Sequence, residues 1–228
     1  ERLERHADAY ELAVQAEAEP QDAAEAQLIE RALVRLRRQL GLAQPAKTKA
    51  APPARIDLAL EPVPGLSVEQ CVQLHLQRPE APVHYVENTL ICSLFGLLCW
   101  DVVFAPLPGA FFHPFHSGPA DLFDSRFRAR RAELFAARLA LLDSDAYADE
   151  MRRIHRAKQG LQSPFVYWEL LDENLLEQAL ACLPAAHLKA WFERLLQDLQ
   201  ANRAGMPDLI QFYPAEGRYR MIEVKGPG

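Results

Sequence analysis

The stretch from Met206 to Gly226, MPDLIQFYPAEGRYRMIEVKG, decides the fold class of this chain. Side chains from Leu209 to Tyr213, and again from Tyr219 to Val224, follow the two-residue period of β-strands. The residues between them, Pro214 to Gly217, are typical of a turn. The stretch therefore predicts a β-hairpin, in a chain whose preceding segments have mostly helical spacing.

Acidic and basic side chains lie at the ends of the two predicted strands. Asp208 begins the first strand, while Glu223 and Lys225 are two residues apart in the second and leave the same face. Carboxylate oxygens suit Mg²⁺ or Mn²⁺, and the main-chain carbonyl of Val224 could add a third donor. An ammonium group beside such a metal would orient water and stabilise transition-state charge. An exposed hairpin with an ordinary cross-strand ion pair would carry the same pattern.

Longer stretches around these residues resemble a known nuclease family. Gly205 to Leu209 and Ile222 to Pro227 match the PD-(D/E)XK nuclease signature in its VRR-NUC form. Glu87 to Asp101 and Gly118 to Phe123 resemble the region before the nuclease motif in Fanconi-associated nuclease. The resemblance covers about Val83 to Gly228. It implies an α-rich α/β fold with a restriction-endonuclease-like core.

The same resemblance implies a function and a set of site residues. The activity would be a structure-specific endonuclease that cuts near a 5′ flap and a 5′-to-3′ exonuclease, unhooking interstrand DNA crosslinks with Mg²⁺ or Mn²⁺. The implied metal ligands are Glu87, Asp208, Glu223 and the main-chain carbonyl of Val224. Lys225 would be catalytic together with Asp208 and Glu223. Family members continue into a further helix, so we expect this nuclease domain to be incomplete at its C-terminus.

Two rival functions are open to the same residues. One is a non-catalytic scaffold that grips branched DNA, and the complete set of Asp208, Glu223 and Lys225 disfavours it, because a degenerate site tends to lose a member. The other is a nuclease of the Holliday-junction or phage type with the same motif. The upstream match around Trp100 and Asp121 disfavours this second rival.

The net charge of −6 argues against a protein that coats nucleic acid through its overall charge. We therefore expect contact with branched or flapped DNA through local basic patches. Arginines cluster on two predicted helices, at Arg126 to Arg138 and at Arg152 to Lys158, although neighbouring acids make solvated faces an equal alternative. The individual phosphate contacts that we predict are Arg203, Arg152 and Arg153.

Half of the 228 residues are hydrophobic, which predicts one main domain with a packed core and a small second unit. Residues 1–42 are predicted to form a helical hairpin, either TPR-like or plain. Residues 43–55 are rich in Pro, Ala and Lys and predict a linker, and residues 56–228 the nuclease domain. The absence of a long apolar run or leader predicts no membrane partner, and cysteines without paired spacing predict buried thiols in an intracellular protein.

Within the third part, Ile56 to Leu60 alternate as a short strand would, and Ser67 with Gln70 predicts a capping box. A long apolar helix is predicted from Val83 into Trp100. Glu87 would lie at its N-terminal end, where the helix dipole alone favours an acid. Further helices are predicted at about Ser125–Leu142, Asp145–Lys158, Pro164–Leu183 and Ala185–Asn202.

The segment from Leu107 to Phe123 is rich in Pro, Gly and aromatic residues and predicts an irregular loop. His113 and His116 lack the further ligands of a zinc site, so we expect them to pack within the loop. The phenylalanines of this loop could stack on unpaired bases. The interpretation that we favour is that these side chains pack into the core. The phenylalanines concerned are Phe111, Phe112 and Phe115.

Overall fold

The computed structural model describes residues 5–20, 23–44 and 53–226. Its backbone contacts divide the chain into two compact units, one ending at Ala59 and the other beginning at Leu60. The predicted linker at 43–55 lies largely outside the described residues. The three-part division with its boundaries at 42 and 55 stays a prediction.

The first unit is a helical hairpin. Helix α1 covers His6–Ala18 and helix α2 covers Ala23–Gln39, so the chain leaves the first helix next to the predicted break at Pro20. Leu33 and Leu36 on α2 are buried, and they supply the narrow apolar stripe that a two-helix unit can form.

The second unit is helix-rich around a small antiparallel sheet. Its strands, in spatial order, are β1 (Val83–Tyr85), β2 (Leu209–Tyr213) and β3 (Arg218–Ile222). Its helices are α3 (Val68–Leu76), α4 (Thr89–Leu98), α5 (Trp100–Val103), α6 (Phe127–Arg130), α7 (Ala132–Ala140), α8 (Ala146–Lys158), α9 (Glu173–Cys182) and α10 (Ala185–Gln197). Short 3₁₀ turns occupy Leu141–Asp143 and Pro214–Glu216.

The register of the sheet gathers three chain segments at one end. Leu209, the first residue of β2, lies opposite Tyr85 on one side and Ile222 on the other. Asp208 immediately precedes β2, so it lies where β1 and β3 both end. The predicted hairpin of β2 and β3 is confirmed, with Gly217 in the left-handed conformation at its turn.

The structure corrects the prediction of one long helix from Val83 into Trp100. Val83–Tyr85 form strand β1, and α4 begins only at Thr89. The main-chain N–H of Val83 donates to Gln77 Oε1, and its carbonyl accepts from Gln73 Nε2. These three residues also pair with β2, far along the chain, and this pairing overrides the apolar pattern that indicated a helix. Glu87 lies before the helix rather than in its first turn.

Other boundaries also differ from expectation. Ile56 to Leu60 belong to no described strand, and Ile56 is exposed, because no neighbouring strand pairs with this segment. The helix expected from Pro164 is restricted to Glu173–Cys182, where the side chain of Asp172 caps it by accepting from the Leu175 N–H. The helix expected over Ser125–Leu142 is interrupted at Arg131.

Several local predictions are confirmed. Ser67 and Gln70 form the capping box of α3. Helix α8 covers most of the predicted Asp145–Lys158, and the loop from Leu107 to Phe123 lacks regular structure. Helix α10 ends at Gln197, short of the predicted Asn202. The four cysteines are unpaired, and three of them are buried: Cys92, Cys99 and Cys182.

Helix α4 is the centre of the core in the second unit. Its residues from Leu90 to Leu98 are all buried, and Phe95 makes edge-on ring contacts with Phe165 and Phe192. At Gly96, an added Cβ would lie 2.7 Å from Phe165 Cβ. The helix therefore packs against the Phe165 segment at a distance that only glycine permits. Although α4 is apolar, no helix in the described ranges is long and apolar enough to cross a membrane.

Candidate active site

Asp208 connects the strand ends. Its main-chain carbonyl accepts hydrogen bonds of 3.0 Å from the N–H groups of both Val86 and Glu87, just after β1. Its carboxylate Oδ2 accepts a hydrogen bond of 2.8 Å from the main-chain N–H of Val224, just after β3. One residue therefore fixes the positions of the segments that carry the other site residues.

Glu87 has a strained backbone at this junction. Its φ of 36° lies in the left-handed region, and it is the only non-glycine residue with positive φ among those described. Such a conformation costs about 1–3 kcal/mol and is concentrated at functional sites. The two hydrogen bonds to the Asp208 carbonyl hold the chain in this shape.

Two neighbours hold the Glu87 carboxylate. The hydroxyl of Tyr85 donates to Glu87 Oε2 over 2.9 Å, and the side-chain amide of Asn88 donates to Oε1 over 3.2 Å. Asn88 Oδ1 also accepts from the Met206 N–H over 3.0 Å, so it links Glu87 to the segment that leads into Asp208. Sequence reasoning missed Tyr85 and Asn88. Their position beside a predicted ligand was the available signal.

Glu223 and Lys225 form an ion pair on one face of the chain after β3. The hydrogen bond from Lys225 to Glu223, followed by the charges of Glu223 and Asp208, raises the pKa of the Lys225 ammonium above its usual value. The Lys225 side chain is 81% exposed and can therefore reach a bound polyanion. The structure thus places Asp208, Glu223 and Lys225 together at the end of the sheet.

The oxygen donors at this end of the sheet fit Mg²⁺ or Mn²⁺ in their chemistry. The backbone brings together three carboxylate-bearing residues, Glu87, Asp208 and Glu223, with the carbonyl of Val224 beside them. Among the described residues, no three acidic, histidine or cysteine side chains already stand as a ligand cluster. Each carboxylate instead has one or two of the local partners described above.

The three arginines predicted to contact phosphate have protein partners. The guanidinium of Arg203 lies 5.0 Å from the Phe165 ring centroid. Arg152 donates to both carboxylate oxygens of Glu177 over 2.7 and 2.8 Å, and Arg153 pairs with Glu150. DNA phosphates would have to compete with these carboxylates for Arg152 and Arg153.

The neighbouring basic face is largely structural. The side chain of Arg131 is fully buried and donates to both carboxylate oxygens of Asp121 over 2.9 and 3.0 Å. Arg130 also pairs with Asp121, while Arg138 pairs with Asp101. The acids that pair with these arginines come from other segments of the chain, and the burial of Arg131 differs from the solvated face considered as the alternative.

The aromatic loop differs from our favoured interpretation. The ring of Phe111 stacks on Phe104 and is only partly exposed. Phe112 and Phe115 are 74% and 86% exposed, so the prediction that they plug the core is wrong. His113 and His116 pack against each other within the loop as expected.

Comparison with known families defines the class of this site. Residues 143–228 match the VRR-NUC domain family, and this range contains Asp208, Glu223 and Lys225. The helix-rich fold with its small antiparallel sheet agrees with the restriction-endonuclease-like core of that class. The second unit thus contains a VRR-NUC domain.

Related proteins identify the family. The Fanconi-associated nuclease 1 homolog of Pseudomonas aeruginosa is 60% identical over 229 residues, which is 100% of this chain and 41% of that protein. Fanconi-associated nuclease 1 of Danio rerio is 30% identical over 176 residues, 75% of this chain and 17% of that protein. The chain belongs to the Fanconi-associated nuclease family, and it spans 41% of the length of the Pseudomonas relative.

A solved structure has the same fold. A crystal structure of paFAN1 bound to 2nt 5′flap DNA with gap superposes on this chain with a TM-score of 0.84 at 59% identity. The match covers 99% of this chain and 42% of that chain. The predicted α-rich, restriction-endonuclease-like fold is therefore confirmed.

Proposed function

We propose that this chain supplies the catalytic module of a structure-specific, metal-dependent DNA nuclease that cuts branched DNA near a 5′ flap. The observation that carries the proposal is the position of Asp208, whose hydrogen bonds join the Glu87 segment to the segment of Glu223 and Lys225. A structure of a relative with 5′-flap DNA supports the choice of substrate.

Glu87, Asp208, Glu223 and the Val224 carbonyl would hold Mg²⁺ or Mn²⁺, which when bound polarises a phosphodiester and lowers the pKa of bound water. Tyr85 fixes the Glu87 carboxylate by its hydroxyl hydrogen bond. The ammonium group of Lys225 would donate to the phosphate oxygens and stabilise the negative charge that develops as water attacks phosphorus.

Asp208 has a second role besides offering a carboxylate oxygen. By accepting the Val224 N–H it fixes the peptide between Glu223 and Val224, one residue before Lys225. The site residues are therefore held by main-chain hydrogen bonds before DNA arrives. Such preorganisation makes electrostatic stabilisation of a transition state effective.

The finer parts of the function belong to the same proposal. They are a 5′-to-3′ exonuclease activity, a role in unhooking interstrand crosslinks, and an intracellular location, and family membership supports them. Phosphate contacts by Arg203, Arg152 and Arg153 are also proposed. Binding at Arg152 and Arg153 would require DNA to displace the ion pairs with Glu177 and Glu150.

The test is cleavage of a labelled 5′-flap duplex by the full protein with Mn²⁺ or Mg²⁺, and again with EDTA. We expect wild-type protein and Glu216→Gln to cut, since Glu216 pairs with Arg218 at the far end of the hairpin. Asp208→Asn and Lys225→Ala should lose cutting by at least about 100-fold, comparable with removal of one transition-state contact. Binding without cutting by wild-type protein would favour the scaffold function, and a strong preference for four-way junctions would favour the Holliday-junction type.

A further inference from the structure

An open cleft adjoins the candidate active site. We call it the aromatic cleft: it lies between the end of β1, with Tyr85, Glu87 and Thr89, and a second wall formed by Tyr167, Trp168 and Glu169. Its volume of about 540 Å³ is in the range of pockets that hold small organic ligands, about 300–1,000 Å³. Because Glu87 belongs to both places, a group in the cleft would be next to a phosphodiester at the site.

The second wall is fixed before any ligand binds. The main-chain N–H of Tyr167 donates to the buried Ser93 hydroxyl of α4 over 3.0 Å. The indole N–H of Trp168 donates to the Leu161 carbonyl over 2.6 Å, and its ring packs against Trp100 at 6.1 Å between centroids. The Tyr167 side chain nevertheless stays exposed, with 43% of the residue surface open to solvent.

The charges of the cleft decide what kind of group it accepts. Glu87 and Glu169 bring two carboxylates, and the residues found to line the cleft include no lysine or arginine. A phosphate would be repelled there, whereas the flat and uncharged face of a nucleobase can stack on a tyrosine or tryptophan ring. A base paired inside a duplex could not enter a concave site, so the base must be unpaired.

We propose that the aromatic cleft binds one unpaired nucleobase of the cleaved strand, next to the scissile phosphodiester, with Tyr167 as its stacking surface. The proposal rests on the nuclease function proposed above. Holding a base beside the site positions the strand for cutting, and it selects DNA that is unpaired at this nucleotide. A fully paired strand cannot use the cleft unless it first opens.

The first experiment measures kcat/KM of the full protein on 5′-flap duplexes, with an abasic nucleotide placed in turn at each position around the cut. One position should lower the wild-type value by about 5- to 150-fold, which corresponds to one base stack. Tyr167→Ala should lose a similar factor on the normal substrate and show no further loss with that abasic position. Tyr167→Phe retains the ring and should behave like wild type, as should Phe123→Ala, an exposed aromatic residue outside the cleft.

Equal sensitivity to the abasic nucleotide in wild-type protein and Tyr167→Ala would overturn the proposal while leaving the nuclease function intact. A second measurement does not depend on cutting. With 2-aminopurine at the sensitive position, or at each position around the flap junction if nothing is cut, and with EDTA present, stacking should quench fluorescence with wild-type protein and less with Tyr167→Ala. Identical fluorescence with both proteins at every position would also overturn it, whereas a quench without cutting would separate the cleft from the nuclease proposal.

Discussion

The carboxylate of Asp208 accepts a hydrogen bond of 2.8 Å from the main-chain N–H of Val224. The Asp208 side chain therefore has a structural role, as the acceptor for Val224, as well as its proposed chemical role as a metal ligand. Substitutions at Asp208 can therefore separate the two tasks, because asparagine retains an oxygen acceptor but loses the negative charge.

For Asp208→Asn we expect a thermal midpoint close to that of the wild type and loss of flap cleavage. Asp208→Ala should lose cleavage and also about 1 kcal/mol in free energy of unfolding, the usual contribution of one hydrogen bond. Urea denaturation and cleavage of a labelled flap measure the two effects. An alanine variant as stable as the asparagine variant would show that the contact with Val224 contributes nothing.

The strained backbone at Glu87 predicts a conflict between stability and activity. Glycine adopts positive φ without the steric penalty that alanine retains, so the free energy of unfolding of Glu87→Gly should be about 1 kcal/mol above that of Glu87→Ala, and both variants should lose cleavage. Glu87→Ala is the matched control, since it also loses the hydrogen bonds to Tyr85 and Asn88 and keeps the strain. Chemical denaturation compares the two variants, and the idea fails if the glycine variant is the less stable one.

Close packing at Gly96 predicts that even substitution by alanine lowers the free energy of unfolding. In Gly96→Ala the new methyl group would lie 2.7 Å from both Phe165 Cβ and Val166 Cγ2, and overpacking of this kind costs about 1–3 kcal/mol. Adding Val166→Ala removes one clashing atom, so the double variant should lose less stability than the two single losses together. Strict additivity in denaturation experiments would contradict this account. Because Tyr167 follows directly, Gly96→Ala should also weaken binding in the aromatic cleft.

Asp121 predicts a pH dependence of stability. Burial acts to raise its pKa, but hydrogen bonds and charges from Arg131 and Arg130 outweigh burial, so the pKa lies below its usual value. The group therefore contributes stability that is complete above its unfolded pKa of about 3.9 and is lost as the pH falls through the lower folded pKa. Denaturation at a series of pH values from about 6 downward should show this loss in wild-type protein. In Asp121→Asn that part of the slope should be missing, and identical slopes would refute the assignment.

The fold could be predicted from the sequence where the contacts that determine it are local. The hairpin depends on a two-residue period and a turn within about twenty residues, so its strands and the placement of Asp208 opposite the end of β3 followed from spacing. Strand β1 was not predicted from the sequence, because its three residues pair with a segment far along the chain. In isolation, their apolar pattern continues smoothly into α4.

The burial of Arg131 was hidden for a related reason. In the sequence, Arg131 is one of several arginines on a single predicted helix, which is typical of a solvated face, and the structure buries it against Asp121 of the preceding loop. Tyr85 and Asn88 were missed because each acts on Glu87 through a side-chain hydrogen bond. The period of hydrophobic residues in a sequence does not indicate side-chain hydrogen bonds of this kind.

Asn88 and Met206 are hydrogen-bonded neighbours at the site, yet they are separated by 118 positions in the chain. A ribosome that adds about 5–20 residues per second would need roughly ten seconds to pass from one to the other. Throughout that interval the emerging polypeptide has Glu87 but none of its acidic companions. A chain that terminates before Asp208 therefore lacks the residues that the proposed site needs besides Glu87.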